Sequence, residues 1–227
     1  DNGIGDFAYD PPSGFLALCT SNLDEPTIGP NSEEQATDYF DTKLWSSDVV
    51  NPEAGDKQIS LDFQPDWVWS KNRDNAENHY WMDSVRGDNA GNKWLRSNAN
   101  AGEGADAISS TTAKYDFTST GFDIIDTNSA SGEVYYNNGS ASTPRTYVGW
   151  CWKAGGTAVS NTDGSITSNV SAAPDAGFSI LSFNSDGTNG TVGHGLNSAP
   201  DMVIVKNRTG TAGYKNGEVY PYFQRFS

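Results

Sequence analysis

This sequence specifies an all-β protein, laid out as antiparallel β-sandwich modules in tandem. Three features carry that expectation. Short apolar runs of strand length recur along the 227 residues, Gly-, Asn-, Asp- and Ser-rich turns separate them, and helical periodicity is almost absent. Leu, Ile, Val and Phe number only 39, a fraction low enough, with a net charge of -15, to warn of disorder. The 7 Trp and 10 Tyr answer that warning, because each buries a large area and together they enlarge the core-forming set to a quarter of the chain.

The elements follow in order. Gly14-Phe15-Leu16-Ala17-Leu18-Cys19 is an apolar run between Pro11-Pro12 and Ser21-Asn22. Ser32-Glu33-Glu34-Gln35-Ala36-Thr37-Asp38 is the best helix candidate, two turns at most, with Ser32 as N-cap. Tyr39-Phe40 opens a strand, and Asp66-Trp67-Val68-Trp69-Ser70-Lys71 follows Pro65 with β-branched and aromatic residues. Further strands are expected at residues 79–86, 121–125, 146–152, 177–183 and 202–206. Clusters such as Asn137-Asn138-Gly139-Ser140 and Asp186-Gly187-Thr188-Asn189-Gly190 supply turns between them.

One internal repeat organises the chain. Pro65-Asp66-Trp67-Val68-Trp69-Ser70-Lys71-Asn72-Arg73 matches Pro200-Asp201-Met202-Val203-Ile204-Val205-Lys206-Asn207-Arg208 at an offset of 135, and each copy has an upstream strand opening on Phe40 or Phe178. Such a period is domain duplication, not a solenoid. Residues 38–153 therefore form one complete module and 174–227 the start of a second, related one. Residues 154–173, rich in Gly, Ser and Thr, join them as a linker with a short extended segment at Ser165-Ile166-Thr167. In the repeated motif Pro65 and Pro200 sit where a strand begins. The alternating apolar residues face a core, while Asp66, Lys71, Asn72, Arg73 and their counterparts Asp201, Lys206, Asn207, Arg208 are placed to hold loop carbonyls and carboxylates.

The chemistry is sparse. No run of about 18 apolar residues spans a membrane, and a pI near 4.3 works against a phosphate-tracking surface, so nucleic acid is not an expected partner. Cys19 and Cys151 are too few for a disulfide scaffold, and Cys151, between Trp150 and Trp152, reads as a buried thiol. The two histidines, His79 and His194, occur in no metal-ligand spacing, so neither metal nor cofactor is expected. Asn161-Thr162-Asp163-Gly164 and Asn184-Ser185-Asp186-Gly187 read as solvated turns, lacking the alternating carboxylates of a calcium loop. Trp67 and Trp69 share one sheet face, as do Trp150 and Trp152. With so few aliphatic residues most of these Trp belong in a core. The alternative is a glycan or partner contact at Trp67, Trp69 and Trp81. Asp66 and Asp83 beside them are the pair a glycosidase would need.

Gly5-Asp6-Phe7-Ala8-Tyr9-Asp10-Pro11-Pro12-Ser13-Gly14-Phe15-Leu16-Ala17-Leu18-Cys19 resembles the closing strands of the SPRY-type sandwich found in virion proteins of marine tailed phages. Phe63-Gln64-Pro65-Asp66-Trp67-Val68-Trp69-Ser70-Lys71-Asn72-Arg73, Asp83-Ser84-Val85-Arg86-Gly87, Gly121-Phe122-Asp123 and Val148-Gly149-Trp150-Cys151-Trp152-Lys153 resemble an uncharacterised module that follows it. The resemblance implies modules of jelly-roll or SPRY-like type, with residues 1–23 closing a SPRY-like sandwich and 24–37 a linker. It departs from the pattern at the acidic stretch 48–56 and at the aromatic end 220–226, which is either a fragment boundary or a segment that packs on a neighbouring subunit.

The implied function is a non-enzymatic structural component of a bacteriophage virion, a tail fibre or surface appendage that contributes to host attachment. Its partners would be other virion proteins and a host-surface glycan or protein, without membrane insertion. Such a component is made in the host cytoplasm and carried on the extracellular particle, and a homotrimer is the favoured assembly. A lectin-like carbohydrate-binding module and a tailspike-type glycosidase acting through Asp66 and Asp83 are the alternatives.

Overall fold

The computed structural model describes residues 34–47, 57–87, 94–99, 101–103, 114–125, 144–185 and 187–209. The chain divides into a unit over Asp1–Ala36 and a compact unit over Thr37–Ser227. The expected strand at 14–19, the SPRY-like segment 1–23, the acidic stretch 48–56, the turn at 137–140 and the aromatic end 220–226 lie outside the described residues.

All named strand pairs are antiparallel, and the architecture is all-β. The strands are β1 (Phe40–Ser46), β2 (Lys57–Ser60), β3 (Trp67–Asn72), β4 (His79–Asp83), β5 (Leu95–Arg96), β6 (Lys114–Thr118), β7 (Gly121–Ile125), β8 (Thr146–Trp152), β9 (Val159–Asn161), β10 (Ser168–Ala173) and β11 (Phe178–Phe183). They form a five-stranded sheet ordered β1-β8-β3-β4-β5, a three-stranded sheet β2-β7-β6 and a second three-stranded sheet β11-β10-β9.

The first two sheets enclose one core. Trp45, Val68, Tyr80, Met82, Tyr147 and Cys151 from the larger sheet meet Ile59, Tyr115, Phe122 and Ile124 from the smaller one, and Trp94, Leu61 and Phe63 belong to the same cluster. Trp45 stands edge-on to Phe122 with ring centroids 6.0 Å apart and lies flat against Tyr147 at 5.6 Å. Fully burying a side chain such as Val68 or Phe122 stabilises the fold by roughly 1.5–3 kcal/mol. Polar bonds also span the layers, from the Tyr115 hydroxyl to Ser70 Oγ at 3.0 Å and from Lys57 Nζ to the Ser46 carbonyl at 2.7 Å. Gly121 is required where β7 starts: its φ is +138°, and a Cβ there would sit 2.0 Å from the Ile59 carbonyl oxygen.

The structure differs from the sequence reading at three places. Among its described residues the helix candidate forms a 3-10 turn over Ala36–Asp38, and the chain enters β1 two residues later. The expected linker 154–173 carries β9 and β10. Ser and Asn do not prevent a ladder when backbone groups pair and Val170 supplies the inward side chain, 3% exposed. Over 202–206 only an isolated bridge at Val203 forms, and Met202, Val203 and Val205 are exposed. Its counterpart Val68 is buried because β8 and β4 flank β3 on both sides. No such pair flanks the second copy among the described residues.

Cys151 is a free thiol, and burial first, with Asp41 second, pushes it up to about 12. We expect iodoacetamide at mildly alkaline pH to leave the Cys151 peptide unlabelled in the native protein and to label it once denaturant unfolds the chain. Peptide mass mapping reads both states, and native labelling at the rate of an exposed thiol would contradict the packing.

Candidate functional site

The five-stranded sheet has a second face, turned away from the core. Along β3 Val68, Ser70 and Asn72 point inward and are buried, so Trp67, Trp69 and Lys71 point outward and are half-buried. Strand β8 repeats the alternation, with Tyr147, Gly149 and Cys151 inward and Val148, Trp150 and Trp152 outward. The register then aligns the outward side chains in rows across the strands. Phe40, Trp152, Trp67 and Asp83 form one row, Thr42, Trp150, Trp69 and Trp81 a second, and Leu44, Val148, Lys71 and His79 a third.

The rows merge into one aromatic layer. Trp67 stacks on Trp152 at 4.4 Å and on Trp69 at 6.1 Å, while Trp81 meets Trp67 and Trp69 edge-on at 5.5 and 5.8 Å. Trp150 lies 5.6 Å from Trp69, and Phe40 lies 4.9 Å from Trp152. Phe178, the first residue of β11, stacks on both Trp67 and Trp152 at 5.9 and 6.0 Å, so the two phenylalanines that open the repeat meet on the same indole. Such offset and edge-on pairs contribute about 0.5–1.5 kcal/mol each beyond area burial. The expectation that most of these Trp belong in the sandwich core is corrected here. Trp45 and Trp94 are core residues, whereas Trp67, Trp69, Trp150 and Trp152 are half-buried on the outer face and Trp81 is buried beneath them. A two-residue spacing shows that two side chains share a face, and the partner strands decide which face is covered.

The polar residues around this layer are engaged in holding it. Asp66 is buried. Its Oδ1 accepts from Ser84 Oγ at 2.7 Å, and its Oδ2 accepts from the backbone N–H groups of Ala154 and Gly156 at 2.8 and 3.2 Å. Asp83 accepts from Arg86 Nε at 2.6 Å and from the Arg86 N–H at 2.9 Å. Arg86 continues to Glu103 at 2.9 Å, and Arg208 reaches the other Glu103 oxygen at 3.0 Å, giving a relay from Asp83 through Arg86 and Glu103 to Arg208. The two acids a glycosidase would require are therefore both engaged by protein donors.

The repeated motif behaves alike in both copies at its strand end. Lys71 Nζ donates to the Asn72 and Asn75 carbonyls, and Lys206 Nζ to the Ala99 carbonyl. Asn72 Oδ1 accepts from Asp74 N–H and Asn207 Oδ1 from Thr209 N–H, each 2.8 Å, so each asparagine closes the turn two residues on. The copies diverge at their start, where Pro65 and Asp66 are buried while Pro200 is half-buried and Asp201 exposed. Arg73 is exposed, and its N–H bonds the Thr146 carbonyl. Among the described residues no three His, Cys, Asp or Glu converge as a metal site, and Asn161 and Asp163 bond each other within their turn. Sequence reasoning missed Phe178 and the Arg86–Glu103 relay, because both join residues far apart in the chain.

The molecule is thus a β-sandwich protein whose larger sheet presents a second, aromatic face to a further small sheet. Residues 35–219 match a domain of unknown function, DUF7483, and the chain belongs to that family. No curated protein and no solved structure matches it.

Replacing Asp66 by Asn leaves one oxygen for the two backbone N–H groups but turns the other into an amide donor facing Ser84, and removes the charge that strengthens all three bonds. We expect Asp66→Asn to lower stability by about 1–3 kcal/mol in urea unfolding. His79 is held below its ordinary 6.5 by burial first and by Lys71 second. The unfolded chain then binds more protons between the folded value and 6.5, so the His79 contribution is complete above that window and is lost as pH falls through it. Urea midpoints measured across that window should therefore rise with pH, and rise less steeply in His79→Gln.

Proposed function

We propose that this chain is a non-enzymatic structural module of a bacteriophage virion, part of a tail fibre or surface appendage, and that it contributes to attachment at the host surface. One observation carries the non-enzymatic part: the acids described beside the aromatic face, Asp66, Asp83 and Glu103, are engaged with Ser84, Arg86, Arg208 or backbone N–H groups. A reaction centre needs titratable groups left available to a substrate, and a scaffold needs its loops pinned. The virion assignment rests on the resemblance of the sequence motifs. In that setting the other virion proteins are its partners, a homotrimer is its assembly, and the extracellular particle is its location. A lectin-like role is the second reading, favoured by the half-buried indoles of Trp69 and Trp150 on the outer face.

Immunogold labelling of intact particles with antibody to this chain tests the assignment. Label on the particle in copies that are a multiple of three is expected. A chain found in the infected-cell lysate but missing from purified particles would overturn it.

A further inference from the structure

The second copy of the repeated motif buries the opposite side from the first. In β3 Val68, Ser70 and Asn72 are buried, while Trp69 and Lys71 are half-buried. At the matching positions Val203, Val205 and Asn207 are exposed, while Ile204, Lys206 and Arg208 are half-buried. The covered side is held by Lys206 Nζ on the Ala99 carbonyl and by Arg208 on Glu103 at 3.0 Å. The side that meets a core in the first copy thus forms, together with Met202, an apolar ridge in the second, with Val203 and Val205 40% and 49% exposed.

A second apolar patch lies at the other edge of the five-stranded sheet. Strand order puts β1 at one edge and β5 at the other, and Ala99 and Glu103, which anchor the ridge, follow β5. On the outer side of β1 Phe40, Thr42 and Leu44 are exposed, Leu44 by 64%. Four strand spacings of about 4.8 Å, roughly 19 Å, separate the two edges, so one chain does not lay its own ridge on its own β1. The Thr42 N–H is held by Asp41 Oδ1 and the Ser46 carbonyl by Lys57 Nζ, each at 2.7 Å, so this edge offers side chains to a partner and not a ladder. Among the described residues five of the six exposed large apolar side chains fall in these two patches, Val159 being the sixth, and such clustering marks an interaction surface.

We propose that Met202, Val203 and Val205 of one copy dock on Phe40 and Leu44 of a second copy. The contact is head-to-tail, each copy giving its ridge to one neighbour and its β1 to another, and three such contacts close a ring. The docking side chains are all uncharged, which suits an interface between chains that each carry a net charge of -15. The inference takes the number of copies from the homotrimer proposed above and adds the surfaces that meet.

Sedimentation equilibrium of the full chain over a concentration series tests it. A reversible trimer is expected. Leu44→Asp and Val205→Asp should each weaken association at least about tenfold, because each puts a charge into an apolar contact, whereas Val159→Asp should not. Mixing the Leu44→Asp and Val205→Asp chains should yield a one-to-one pair, since the ridge of the first and the β1 of the second are unaltered. All three positions are exposed, and an unchanged urea midpoint shows that a variant is folded. Leu44→Ser and Val205→Thr serve where an aspartate unfolds the chain. A monomer at every concentration, association unchanged in either interface variant, equal loss in Val159→Asp, or variants that stay apart on mixing would overturn the proposal. Labelled particles with a monomeric chain would remove the contact and leave the location. An intact contact in a chain missing from particles would do the reverse.

Discussion

Strand β8 is hydrogen-bonded on both sides, to β1 and to β3, and its register decides what every neighbouring side chain faces. Pairing Trp152 with Phe40 and Trp67, and Trp150 with Thr42 and Trp69, puts all the large outward rings on one surface, while Cys151 and Tyr147 enter the core beside Val68 and Trp45. A slip of one residue would exchange the two sets, driving the indoles into a space filled by Val68 and Cys151 and turning the core residues to the outside. Gly149 belongs to the same constraint. A Cβ there would lie 2.8 Å from the Trp45 ring, so the inward position between Tyr147 and Cys151 must be vacant for the indole to lie across it.

Two different kinds of force then attach the remaining elements. The small β11-β10-β9 sheet joins the sandwich through ring stacking, Phe178 against Trp67 and Trp152. The second copy of the repeated motif joins through polar contacts, Lys206 to the Ala99 carbonyl and Arg208 to Glu103, with the Glu103 N–H donating to the Arg208 carbonyl at 2.7 Å. Arg86 is nearly inaccessible and tied to both Asp83 and Glu103, so removing one partner leaves buried charge uncompensated. The two copies of the motif thus share their turn chemistry, Lys for loop carbonyls and Asn for the turn, but not their strand. The same sequence pattern needs flanking strands before its alternating apolar residues can be buried.

The aromatic face is partly occupied by the chain's own Phe178, and its acids are engaged, which makes it a joint as much as a surface.

Much of the fold was legible in the amino-acid order. Dense alternating segments such as residues 67–72 and 146–152 became strands, because alternation of large apolar and small residues has the period of a pleat. Weakly apolar segments were not legible: β2 has only Ile59 to mark it, and β10 is built of Ser, Asn and Ala around Val170, so pairing with neighbours, not local composition, makes them strands. Of the site, the shared facing of Trp67 with Trp69 and of Trp150 with Trp152 was present in the spacing. That those faces look away from the core, and that Phe178 covers them, depend on contacts between residues tens of positions apart. Local order sets the period and turn chemistry of each strand, because these arise from neighbouring dihedrals and side chains. Only the packed sheets decide which face is buried and which charges meet, because both depend on what lies across the gap.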